Sequence, residues 1–322
     1  MSKLRIIFSI DVEIWCCGWN NLDQVFPKWY QRYVFGQTAR GDFGLPYQLR
    51  VFRDYGLKCV FFVEPLFATR FGIGPLADIV GMLNEAGQEV QIHLHPEWST
   101  DSLVPLLPNT GRRRPNLYQF TFDEQKTLIE AARSLLERAG ARGLNAFRAG
   151  GFGFNRETLR ALAALDIHFD SSFNPCHYRN QDPSLSVTPQ SGVTTIDGVV
   201  EVPVSTFEDG FGRLRPMQLS ACSFSELVSI LWQARERELG CITILTHNFE
   251  LLNRMQEKPD HVVIDRFLRL CSFLDRNRAD FEVGGFRDGS IPASERQLPC
   301  LRCSAPTTAV RMIQQVYRRR YG

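Results

Sequence analysis

Two hydrophobic patterns alternate along this chain. Short runs of consecutive apolar residues mark strands buried on both faces, and longer stretches with apolar residues every three to four positions mark helices with one face on a core. The first pattern predicts strands over 4–10, 58–63, 89–94, 144–147, 167–169, 241–245 and 281–283, with one or two more between Gly192 and Val204. The second predicts helices over 45–55, 76–86 and 263–274, and three more with clear start signals. Thr121 with Glu124, and Ser223 with Glu226, are capping boxes, in which each side chain satisfies the other's free backbone donor. Asn155 is a third N-cap, and Gly140 stops the helix that Thr121 starts.

Strand and helix in strict alternation predict a parallel sheet with crossover helices, because a parallel neighbour is reached only through a crossover. Seven or eight such units predict an α/β fold that closes, or nearly closes, into a (β/α)7-8 barrel. With no internal repeat and no Gly- or Ser-rich linker, the reading is one barrel domain over 1–290, with an aromatic-rich insertion at 14–43, and a basic extension over 291–322. At 322 residues and 44% hydrophobic the chain can build a large core, and a net charge of +2 gives no reason to expect nucleic acid. The segment before Asp11 is too short for a secretion signal, and the nine cysteines are odd in number and scattered. Both features lead to an expectation of a reduced, cytoplasmic protein. Cys300 and Cys303 form an isolated C-x-x-C without the second pair a zinc site needs.

Several apolar runs end in chemistry. Asp11 and Glu13 follow the first strand, His93 and His95 the third, Arg148 the fourth, Asp170 the fifth and His247 the seventh. In a parallel barrel these carboxyl ends share one face, where active sites are built. Carboxylates and imidazoles together suit a divalent metal, with one carboxylate left over to act as a base. Each residue has a plainer role open to it: an Asp after a strand is often a turn residue, a single His is often a hydrogen-bonded core residue, and Arg148 could be a structural ion pair.

The motifs Phe8-Ser-Ile-Asp11-Val-Glu13, His93-Leu-His95-Pro, Phe147-Arg148-Ala-Gly-Gly-Phe152, Asp170-Ser-Ser172 and Leu245-Thr-His247 resemble, in order, those of the polysaccharide deacetylases (carbohydrate esterase family 4, the NodB-homology domain). The resemblance covers roughly residues 4 to 250 and implies a distorted parallel barrel that removes an N-acetyl group from a sugar with a divalent metal, zinc first and cobalt, nickel or manganese next. It implies Asp11 as general base, Arg148 as its partner, His247 as general acid tuned by Asp170, and Glu13, His93 and His95 as metal ligands. Leu245 is expected to wall the acetyl methyl, and Trp15, Trp98 and Phe152 to meet the sugar. Two departures stand out. The second carboxylate is two residues after Asp11 rather than adjacent, and the histidines are two apart rather than four, with Glu97 at the fourth position as a reserve ligand.

The insertion at 14–43 carries three of the five tryptophans, which can stack on sugar or form a lid. Arg112-Arg-Arg114 can meet an anionic part of a substrate or sit in a solvated loop. The segment 301–322 has five arginines, no acidic residue, and Val310, Ile313, Val316 and Tyr317 at helical spacing. Such a helix either lies on an anionic membrane at the inner face or docks on the barrel. The expectation is a cytoplasmic carbohydrate deacetylase acting on a glycan precursor. A related amidase on a non-sugar amide and a catalytically silent glycan-binding protein are the alternatives.

Overall fold

The computed structural model describes residues 3–321 except 109–110, 178–181, 183, 186, 188–191, 256, 290 and 292–298. The chain falls into two compact units, each assembled from separate segments: Met1–Cys59, Ser205–Gly284 and Pro299–Gly322 form one, and Val60–Val204 and Gly285–Leu298 the other. The boundary expected at 290/291 adjoins residues outside those described.

In the first unit the strand Leu4–Val12 is buried along all nine residues. Cys241–His247 runs parallel to it in a register that pairs Arg5 with Cys241 and Asp11 with His247. Phe281–Val283 pairs, also parallel, with Leu4 to Ile6. Helices Leu45–Asp54 and His261–Arg276 place Phe52 and Phe267 against Phe8, with ring centroids 5.2 to 6.3 Å apart. Phe224–Glu236 starts at the expected capping box, with Ser223 Oγ accepting from Glu226 N. The insertion folds as helix Leu22–Tyr30, a π-helical turn Gln31–Phe35 and a two-stranded hairpin, Gln37–Thr38 with Gly41–Asp42. Gly36 has φ 65°, and a Cβ there would lie 2.2 Å from the Gly44 nitrogen, so only glycine fits.

In the second unit Val60–Val63, Glu89–Leu94, Ala146–Ala149, Phe169–Asp170 and Val199–Glu201 form a parallel sheet in that order, with Thr194–Ile196 added antiparallel. The register pairs His93 with Arg148, Phe147 with Asp170, and Asp170 with Glu201. Helices Gly74–Glu85, Phe122–Arg138 and Arg156–Ala164 supply the crossovers, the last two capped by Thr121 and Asn155 as expected.

Strand ends differ from the expectation in one consistent way. Asp11, Arg148 and Asp170 lie within strands rather than after them. A parallel neighbour offers backbone partners whatever the side chain is, so pairing continues past the first polar residue. Among the described residues no helix is long and apolar enough to cross a membrane.

Candidate active site

In the first unit the parallel register sets Asp11 and His247 side by side at the carboxyl ends of their strands. Candidate ligand atoms of Asp11, Glu13 and His247 lie within 4.8 Å of one another. Glu13 is positioned from both sides. Trp15 Nε1 donates to its Oε2 at 2.7 Å, and its backbone N and O both bond to the Asn248 side chain at 3.1 Å. Asn248 also donates to Tyr33 O at 2.8 Å and is 0% exposed, which ties the insertion to the strand end. Trp15 is half-buried and meets Trp19 edge-on, so its indole N–H serves Glu13.

His247 is held by a residue that the sequence reading missed. Its Nδ1 lies 2.8 Å from Glu250 Oε1, while its Nε2 lies 3.9 Å from Glu13 Oε1. Glu250 is fixed by Thr246 Oγ1 at 3.0 Å, by the Ser220 N–H at 3.2 Å and by Gln218. Burial alone would lower the His247 pKa, but the Glu250 hydrogen bond and the charges of Glu13, Glu250 and Asp11 raise it to about 9. An imidazole with its pKa raised this far carries protons on both nitrogens at neutral pH, and its Nε2 is turned towards Glu13. Asp170, expected to tune His247, instead has Ser172 and Glu201 as partners. Leu245 is 1% exposed, with its backbone bracketed by Met217 and Leu219, so its side chain belongs to the packed interior.

In the second unit His93 Nδ1 lies 2.8 Å from the Arg148 carbonyl oxygen. The carbonyl only accepts, so Nδ1 carries the proton and Nε2 has the lone pair a metal would use. The His95 ring lies 4.9 Å from the His93 ring, and its Nδ1 is 3.5 Å from Glu97 Oε2. Glu97 thus stands beside a candidate ligand. A Cβ at Gly150 would lie 2.5 Å from His95 Nδ1, so the glycine of the Arg148-Ala-Gly motif makes room for the imidazole. Glu64, directly after the Val60–Val63 strand, is buried and feels the charge of His95. Burial pushes its carboxyl up to about 8, against the His95 charge and the Leu66 and Phe67 N–H groups that favour ionisation.

Arg148 is fully buried. Its Nε donates to Ser171 O at 3.1 Å, its Nη2 to Ser171 Oγ at 2.9 Å, and its guanidinium stacks 4.2 Å from the Phe62 ring centre. Asp170 and Glu201 face each other as buried carboxyls. Burial and the Asp170 charge push Glu201 well up, so Glu201 holds the proton and Asp170 accepts from Ser172 Oγ at 2.6 Å. Phe152 is half-buried with its ring 5.4 Å from that of His177. Trp98, expected to meet sugar, is instead 1% exposed and packs edge-on against Phe71, so it serves the core. Two of the three loop arginines are clamps as well: Arg113 pairs with Asp101, and Arg114 with Glu124 at 3.0 Å while stacking on Phe120.

Glu250, Glu64 and Glu201 are the residues the sequence reading overlooked. Glu64 and Glu201 end apolar strands, the same signal that singled out Asp11, and Glu250 stands three residues after His247.

No family model and no curated protein matches the chain. Solved structures do. A protein from Mycobacterium smegmatis described as a candidate polysaccharide deacetylase superposes with a TM-score of 0.54 at 17% identity, covering 93% of this chain and 95% of its own. A family 4 carbohydrate esterase from Streptomyces lividans, solved with acetate, gives 0.45 at 13% identity over 91% and 96%. A family 4 pseudoenzyme from Bacillus anthracis gives 0.44 at 12% identity over 94% and 70%. The Mycobacterium likeness bears out the expected α/β fold, the distorted parallel barrel of the polysaccharide deacetylase type.

Proposed function

We propose that this protein is a metal-dependent hydrolase that removes the N-acetyl group from an acetylated sugar. The observation that carries the reading is the Asp11–His247 register pair, with Glu13 beside it and Glu250 behind the imidazole. A carboxylate and a protonated imidazole on adjacent strand ends are the base and acid that amide hydrolysis requires. The order of motifs and the fold likeness support the same reading.

The ligand set of this proposal is Glu13, His93 and His95, with Glu97 in reserve. The donors fit a borderline divalent ion: His93 has the tautomer that metal ligation needs, and Glu13 is an oriented carboxylate. A bound ion of this kind polarises the amide carbonyl and lowers the pKa of a water from ~15.7 towards roughly 7. Asp11 takes the proton of the attacking water as the new C–O bond forms. Arg148 is the proposed partner of Asp11. His247 gives its Nε2 proton to the amide nitrogen as the C–N bond breaks, releasing acetate and the free amine. Glu250 holds the imidazole in the orientation and charge state for that transfer. Trp15 and Phe152 remain the proposed sugar-facing aromatics.

The test is elemental analysis of purified wild type and of His93→Ala/His95→Ala, followed by acetate release from a panel of N-acetylated sugars with Asp11→Asn as the control. Near-stoichiometric metal that the double variant loses, with acetate release that Asp11→Asn abolishes, is the expected result. A wild type that takes up no zinc, cobalt, nickel or manganese, and binds sugar equally well with Asp11→Asn, is a silent glycan-binding protein instead.

A further inference from the structure

The helix Ala305–Tyr321 is docked the wrong way round for a surface helix. Its inward face is polar. Arg311 is 2% exposed and reaches Asp209 at 2.7 Å and Glu226 at 3.0 Å. Arg318 reaches Asp260 at 2.6 Å and Ser220 O at 2.8 Å. Gln314 accepts from Arg266 at 2.8 Å, and Thr308 accepts from the Gly210 N–H at 2.8 Å. The outward face is apolar. Val310, Met312, Ile313, Val316 and Tyr317 are all exposed, Ile313 by 70% and Val316 by 63%.

The exposed apolar surface extends beyond the helix. Phe211 and Leu214, on the turn and strand of the Thr206–Glu208/Leu214–Pro216 hairpin, are exposed, and Phe211 lines one depression together with Met312, Arg213 and Arg319. Met255 is 69% exposed and lines a second depression with Arg254, Gln315 and Arg319. Among the described residues, eight of the ten exposed large apolar side chains belong to this one face. Exposed apolar side chains clustered in this way are seldom left to water.

The charge around the patch identifies what covers it. Arg213, Arg254 and Arg319 line the depressions beside the stripe, Arg320 follows on the same helix, and the segment 301–322 carries no acid. The acids that pair with the helix, Asp209, Glu226 and Asp260, are neutralised by Arg311 and Arg318. What faces outward is therefore an apolar ridge with a cationic rim, the form that suits the boundary between anionic headgroups and acyl chains.

We propose that this face is a peripheral membrane anchor. Ile313, Val316, Tyr317 and Phe211 enter between the headgroups of a bilayer containing anionic lipid, and the rim arginines meet its phosphates. The anchor does not depend on the hydrolase reading. Sedimentation of the full chain with vesicles of phosphatidylglycerol mixed into phosphatidylcholine tests it, against phosphatidylcholine alone. The wild type is expected to pellet with the anionic vesicles, to do so less in high salt, and to stay in solution with neutral ones. Ile313→Glu/Val316→Glu is expected to abolish pelleting without changing the melting temperature, since both side chains are exposed. Arg319→Gln and Arg320→Gln each weaken binding about fivefold, the equivalent of roughly 1 kcal/mol per basic residue. Wild type that ignores anionic vesicles, or a double glutamate variant that binds them as well as wild type, overturns the proposal. A concentration-dependent dimer in analytical ultracentrifugation that the same double variant abolishes, without vesicle binding, assigns the face to a second copy of the chain.

Discussion

Burial and a neighbouring carboxylate pull His247 in opposite directions, and the carboxylate prevails. The ring is taken out of water, which favours the neutral form, yet Glu250 at 2.8 Å keeps it charged up to about pH 9. Glu250→Gln retains the shape and removes the charge. In the metal-free protein the His247 titration, followed by NMR of the imidazole protons, is expected to fall by roughly a unit or more. Acetate release should drop towards the ~10²–10⁴-fold loss that removing a general acid causes. An unchanged titration would show that Glu13 and Asp11 alone set it. The sequence exposed His247 because it ends an apolar run, but it could not show which carboxylate would reach the ring. Asp170 also follows an apolar run, and the family resemblance implies it as the tuning residue. Glu250 sits in the turn after the strand, where only the three-dimensional path of residues 247–250 brings it back to Nδ1.

At the scale of elements, signals settled within a few residues are legible in the sequence, and the side that a helix turns inward is not. The capping boxes at Thr121 and Ser223 are in place because each is a contest settled within four residues. Strand ends at Asp11, Arg148 and Asp170 came out short because backbone pairing is set by a neighbour far along the chain. The helix Ala305–Tyr321 shows the same limit. Its period was plain, but the docked side proved to be the charged one, since Asp209 and Glu226 are too buried to remain without a cation. Arg311→Met keeps the volume and strands both carboxylates, whose other donors offset part of the loss. Urea denaturation is expected to show a loss of about 3 kcal/mol, the low end for breaking a buried pair. A loss below 0.5 kcal/mol, no more than a typical surface substitution gives, would mean that the Arg215 pair and the backbone donors suffice for Asp209, and Ser223 for Glu226.

For the molecule as a whole, buried acids set how stability varies with pH. Glu64 has its folded pKa raised to about 8, above the ordinary value of 4.5, so the folded state holds that proton more tightly than the unfolded chain does. Its contribution is complete below about pH 4.5 and is lost as the pH rises through about 8. Glu201 adds to the loss in the same direction. Melting temperatures of the metal-free protein should fall between these limits, and Glu64→Gln should flatten the slope. A slope identical in the variant would assign the dependence to other groups. The strand Leu4–Val12 carries Asp11, while its partner Cys241–His247 lies some 235 positions further on. At ~5–20 residues per second, a ribosome needs roughly ten to fifty seconds between releasing the two. The proposed base is therefore released well before the proposed acid. A nascent chain that has released Asp11 but not yet His247 lacks one half of the proposed pair, so it cannot carry out the proposed transfer of protons.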